Sequence, residues 1–227
     1  MLLLSDAHRR WPGLLGYVLS VATLAGCADA RGRFEDFQTR VQQNDAGMTP
    51  SDAGMDGDME DSGPCTPPAP GLVRGPALLA VDTNLAPGLP TLFLGNIDTP
   101  ELDHITAVHF VYHALDSLDR RTRVGDELSV GPFPLHDGKL VAKVPESELA
   151  GEANPVLHGA PITSEMTLTG RICGVVNFYC GTVEGQSKGL VSGPFSGHFG
   201  ITLLAGPDAV PERPRFGCGA EDLAPPL

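Results

Sequence analysis

The stretch Pro161–Ile172, "PITSEMTLTGRI", decides the fold class. Ile162, Met166, Leu168 and Ile172 fall on one side of an extended chain, while Thr163, Glu165, Thr167, Thr169 and Arg171 fall on the other. Successive side chains of a strand point to opposite faces, so this period of two predicts a strand with one face buried and one wet. From about Gly71 onward the same texture continues, with short apolar segments between Gly, Pro, Asn and Asp. Further strands are expected at Pro76–Val81, Thr91–Ile97, Ile105–Leu115, Glu127–Val130, Lys139–Val144, Val175–Phe178 and Phe199–Leu204. The 28 Gly and 21 Pro argue against long helices, although a helical turn is expected around Glu146–Leu149, after Pro145. The fold class that follows is all-β: an antiparallel β-sandwich, with a β-barrel as the alternative.

The first thirty residues follow a different pattern. His8, Arg9 and Arg10 precede the apolar stretch Leu14–Leu24, which is too short for a bilayer core needing about 20 helical residues but suits the apolar part of an export signal. It runs into Leu24-Ala25-Gly26-Cys27, which resembles the lipobox of bacterial lipoproteins. The resemblance implies a signal peptide over 1–26, cleavage before Cys27, and acylation of the Cys27 thiol, as by palmitate. An ordinary secretory cut near Ala28 or Ala30 is the alternative. Each buried lipid CH₂ contributes about 0.8 kcal/mol, and one chain binds only reversibly, so two or three chains would hold the protein on a lipid bilayer. Ala28, in place of Asp, implies by the same resemblance a cell envelope location on the outer membrane.

Residues 27–70 read as an acidic tether. Phe34, Phe37 and Val41 share a helical stripe, but so short a helix is marginal alone. Asp45 to Asp61 holds six acids and no base, and Asp-Ala-Gly-Met occurs at Asp45 and again at Asp52. That composition predicts disorder, with about 35 Å between the ends of a ~40-residue coil. Asp56, Asp58 and Glu60 alternate as in part of a calcium loop, but the sixth-position Gly and distal Glu are missing. A single β domain over 71–227 is long enough for one core.

The 227-residue chain carries 28 acidic and 15 basic residues, a net charge of -13. Nucleic acid is excluded as a partner on that balance, since phosphate binding needs clustered bases and the one cluster beyond the signal is Arg120, Arg121 and Arg123. Besides Cys27 there are four cysteines, Cys65, Cys173, Cys180 and Cys218, an even set suited to disulfides in an oxidising compartment. The expected pairing is Cys173 with Cys180 and Cys65 with Cys218. A four-cysteine zinc site is disfavoured because the closest spacing is C-x₆-C rather than C-x₂₋₄-C.

Catalytic motifs are faint. "GPFSGHFG" puts Ser196 near His198 but lacks the G-x-S-x-G elbow, so Ser196 is expected in a loop. "GTVEGQSKG" fails as a phosphate loop because Ser187 precedes Lys188. Asp126 with Glu127, and Glu146 with Glu148, are paired carboxylates expected in turns. In "HITAVHFVYHALD", with His104 at its start, the strand reading puts His109, Val111 and His113 on one face and Val108, Phe110 and Tyr112 on the other. His109 and His113 are the candidate metal ligands, but about 7 Å apart on one face they are too far for direct co-ligation without inward-leaning side chains, so they read as polar residues on a half-exposed face and no metal is expected. No cofactor is implied. Two functions follow: a membrane-held, non-enzymatic β module offering its loops to an envelope protein, a glycan or a small ligand, or a hydrolase-like or metal-dependent envelope enzyme.

Overall fold

A computed structural model describes residues 65–226; the signal stretch, Cys27 and the acidic tether lie outside the described residues. Nine strands follow one another: β1 (Arg74–Thr83), β2 (Thr91–Asp98), β3 (Glu101–Leu102), β4 (Ile105–Leu115), β5 (Arg123–Pro134), β6 (Lys139–Leu149), β7 (Ile162–Arg171), β8 (Phe178–Lys188) and β9 (Gly193–Leu203). They form one antiparallel sheet in the order β6-β7-β8-β9-β1-β2-β4-β5, with β3 turned back on the start of β4. The sheet is continuous and curls into a half-barrel.

The curl follows from chain connectivity. β5 and β6 are the two ends of the sheet order, yet only Leu135–Gly138 joins them, and four residues reach at most about 14 Å. Asp137 and Gly138 make the reversal with φ of 51° and 74°, and His136 bridges Lys139 across it. The strands then part, β5 pairing with β4 and β6 with β7. Both edges are broken up: β5 carries Pro132, Pro134 and two register shifts against β4, and β6 shifts register at Pro145–Glu146. Such interruptions blunt strands that would otherwise pair with other chains.

The concave face holds the core, where Leu79, Phe110, Val130, Leu140, Leu168, Val183, Phe199 and Ile201 meet from every long strand except β2, which adds Phe93 and Ile97. Phe199 lies over two glycines of neighbouring strands, Gly181 and Gly170; a Cβ on Gly181 would stand 2.6 Å from its ring. At the end of the half-barrel that holds the β5–β6 turn, Thr99 is fully buried and its hydroxyl donates to the Val73 carbonyl while accepting from the Val73 N–H. The convex face of β1, β2 and β4 is also buried: Leu78, Ala80, Leu92, Leu94 and Leu115 lie under Leu204, Val210 and Phe216 of the C-terminal segment.

The all-β class and the antiparallel arrangement are as expected, and Ile105–Leu115 is a strand with those limits. Differences cluster where glycine and polar residues mask the pattern. β8 begins where the Val175–Phe178 strand was expected to end, leaving Val175 and Val176 exposed in the preceding turn. Glu146–Leu149 continues β6, and the helical turn comes later, at Gly151–Ala153.

The cysteine pairing is corrected. All four cysteines are bonded, but as Cys65–Cys173 and Cys180–Cys218, with Cα separations of 5.1 and 5.4 Å. Tyr179 turns inward to the core, so Cys180 faces the convex side, where the C-terminal segment brings Cys218. Cys173 follows the end of β7, where Gly174 N–H donates to the Thr66 carbonyl and the chain entering the domain passes with Cys65. Residues 65–70 are thus part of the folded domain. Loops of 108 and 38 residues give about 5 and about 4 kcal/mol on the chain-entropy account.

Gly181→Ala should lower stability by about 2 kcal/mol, the scale of core overpacking, because the added methyl meets both backbone and the Phe199 ring. Denaturant midpoints of the two proteins check this; an unchanged midpoint would show that the ring does not rest on the glycine.

Candidate functional site

At the end of the half-barrel opposite the β5–β6 turn, the inward side chains do not fill the space they enclose. A cavity of about 90 Å³ remains. Val81 and Thr83 of β1, Thr91 and Phe93 of β2, Tyr112 and Ala114 of β4 form one wall. Val124 and Leu128 of β5 face Ser147 and Leu149 of β6 across the unpaired seam, and Ile162, Ser164 and Met166 of β7 complete the circuit with Phe195 of β9. The space reflects the residue choice at these strand ends, where Ala, Ser and Thr stand in place of the larger aliphatics found deeper in the core.

Two loops cover this end. In the β1–β2 connection, Leu85, Ala86 and Leu89 line the cavity, and Gly88 N–H donates to Asp82 Oδ1 at 2.8 Å. Asn84 ties the same loop to β9, its N–H donating to the Ser196 carbonyl and its Oδ1 accepting from Ser196 N–H. In the β6–β7 connection the fully buried Asn154 donates to the Ala160 carbonyl and accepts from Val156 and Leu157 N–H, holding Pro155 and Val156 at the rim. Leu89 is 39% exposed, so the cover has an apolar outer edge.

Tyr112 brings a phenol to a lining whose other hydroxyls are those of Thr83, Thr91, Ser147, Ser164 and Ser187. Its ring meets Phe93 edge-on at 5.0 Å between centroids, and Tyr112 pairs in register with Gly95, where a Cβ would collide with the Val111 carbonyl and the Tyr112 Cα. Only 7% of the residue is exposed, and burial pushes its phenol up to about 12. Asp126 and Glu148, both exposed, are the charged residues of the lining, which contains no histidine, lysine, arginine or cysteine.

The residues singled out from sequence lie elsewhere or apart. His109 and His113 share the outer face of β4 as the alternation predicts, but each turns to its own partner on β5. His109 Nε2 shares a hydrogen bond with Ser129 Oγ at 3.0 Å, and His113 Nε2 lies 3.5 Å from Glu127 Oε2. His104 is at the β3–β4 turn, 3.2 Å from Glu101 Oε1. Among the described residues no three of His, Cys, Asp and Glu gather as a metal site. Ser196 is in β9 rather than in a loop, and His198 follows it on that face. Asp126 and Glu127 belong to β5, and Glu146 and Glu148 to β6 rather than to turns; Glu146 pairs with Lys188.

Sequence reading missed the cavity itself. Its signal was present in small and hydroxyl residues, Thr83, Ala114, Ser147 and Ser164, at inward positions that all fall at one end of their strands. No protein-family model, no curated protein and no solved structure matches the chain.

Asp82 links this end to solution pH. Burial pushes its carboxyl up to about 6 from 3.8, against the opposing Gly88 N–H and the nearby His198. A native value above the unfolded one means the folded state holds the proton more tightly, so stability falls as pH rises from about 4 through about 6. Asp82→Asn keeps an acceptor for Gly88 and should gain in melting temperature over the parent between pH 4 and pH 7; a pH-independent difference would contradict the burial account.

Proposed function

We propose that this chain is an exported protein, lipid-anchored through Cys27, whose β domain binds a small apolar ligand in the cavity at the end of its curled sheet. The observation that carries the binding reading is that cavity: an apolar enclosure with few polar groups, at the mouth of a curled β-sheet, where ligand sites concentrate. Its volume is of the order of the ~150 Å³ engineered cavity that takes up benzene, so a ring or short chain of several heavy atoms is the matching size. The separation of Ser196, His109 and His113 from the cavity supports binding rather than turnover.

The export and anchoring reading rests on sequence. The Leu24–Cys27 stretch resembles a lipobox, and the two disulfides suit an oxidising compartment such as the cell envelope. The outer membrane is the proposed location, with the acidic residues between Cys27 and Cys65 spacing the domain from the bilayer.

Toluene is a direct probe. At ten times its dissociation constant it should stabilise the protein by about 1.4 kcal/mol through mass action, seen as a raised melting temperature. Ser164→Phe, which fills the cavity, should abolish that rise; a rise that persists would place the binding elsewhere. For the anchor, Cys27→Ser should leave the precursor uncleaved or release the protein from membranes, and continued membrane retention of a processed chain would refute it.

A further inference from the structure

Two tyrosines lie among the described residues, and they differ in one respect. Tyr179 Oη donates to the Gly174 carbonyl at 3.1 Å and accepts from Val176 N–H at 3.3 Å, so its hydroxyl is used by the fold. Tyr112 lines the cavity, and its hydroxyl has no protein partner and keeps contact with solvent, while burial of the ring raises its proton affinity. Buried tyrosines ordinarily find a partner, so a molecule that displaces solvent from this hydroxyl has to replace its hydrogen bond or leave it unpaired, at a cost of about 1–3 kcal/mol. Packing does not leave Tyr112 free to seek one. Phe93 meets its ring edge-on, and Gly95, its partner in the strand register, lets β2 and β4 approach so closely that a Cβ there would meet the Tyr112 Cα and Cβ.

The rest of the lining restricts what can answer that hydroxyl. An anion would find no basic residue among the lining side chains, and the two charged ones present, Asp126 and Glu148, are acids. A cation would have to leave those exposed rim carboxylates to enter, and burying any unpaired charge among Phe93, Leu128, Ile162 and Phe195 is expensive. We propose that the cavity selects an uncharged apolar molecule carrying a hydrogen-bond acceptor, and that Tyr112 Oη–H donates to that acceptor. The ligand class is therefore a small ketone, ester, ether or amide with an apolar body, and Tyr112 is the specificity-determining residue. This deepens the cavity-binding reading above and rests on it.

The experiment compares toluene, acetophenone, benzoate and benzylamine on the full chain with both disulfides formed, by calorimetric titration and by the ring signals of Tyr112 labelled with ¹³C. Acetophenone should bind about five- to tenfold more tightly than toluene, and the two ions at least tenfold more weakly than acetophenone. Tyr112→Phe should bring acetophenone down to the affinity of toluene, leave toluene unchanged, and leave the fold intact as judged by the melting temperature. Equal binding of toluene and acetophenone in the parent, or a preference that survives Tyr112→Phe, overturns the role of the hydroxyl while the cavity-binding reading stands. Benzoate or benzylamine binding as tightly as acetophenone overturns the selection for an uncharged ligand. Failure of all four to bind or to move the Tyr112 signals overturns both the inference and the reading beneath it.

Discussion

The short turn between β5 and β6 is the constraint on which the rest of the structure depends. An antiparallel sheet with eight strands along its path can lie open, but here the first and last strands of the path are neighbours in the chain, separated by Leu135–Gly138. The sheet therefore has to bend until its edges meet at that turn, which gives it an inside and an outside. Everything on the concave face becomes core by geometry: Val108, Phe110 and Tyr112 of β4 face Leu140, Ala142 and Val144 of β6 within one cluster, although neither strand pairs with the other.

Curvature has to be matched by side-chain volume, and the two ends of the half-barrel do this differently. Near the turn, Leu135, Ile172 and Val73 fill the interior, and Cys65–Cys173 closes the chain over it. Between the ends, glycines at 170, 181 and 185 make room for Phe199 and Phe195 to lie across neighbouring strands. A ring packed over a glycine supplies both strands' share of volume from one residue, a device that suits a tightly bent sheet. Toward the other end the strands part as β5 and β6 splay from their common turn, while the inward residues become smaller. Widening walls with shrinking side chains leave a cavity, and loops pinned by Asp82 and Asn154 keep it covered.

How much of this was legible depended on whether a feature is local. The alternation in Pro161–Ile172 and in Ile105–Leu115 is written in adjacent residues, so the strands, their inward faces and the outward direction of His109 and His113 could be read directly. β8 could not, since Gly181 and Gly185 stand at inward positions and erase the period that their partners Phe199 and Phe195 complete from β9. The run Ala77–Val81, apolar at every position, was a signal that both faces are buried. What covers the outer face is a segment more than a hundred residues later, and no local pattern announces it. The cysteine pairing failed for the same reason: proximity along the chain suggested Cys173 with Cys180, but inward Tyr179 sends Cys180 to the opposite side of the sheet.

The two disulfides act on different parts of this arrangement. Cys65–Cys173 fixes the first described residue at the filled end, away from the cavity. Cys180–Cys218 holds the C-terminal segment over the convex face, where Arg215 lies 4.0 Å above the Phe178 ring and its guanidinium donates to the Cys218 carbonyl. Without that cover, Leu78, Leu92, Leu94 and Leu115 would face water, each at a cost of about 1.5–3 kcal/mol, and the strands that position Phe93 and Tyr112 would lose their convex packing at those residues. The cavity is therefore supported from behind. Its aromatic wall is held on the concave side by the edge-on contact of Phe93 with Tyr112 and on the convex side by a segment that a covalent bond keeps in place, so both faces of the strands that carry the wall are packed.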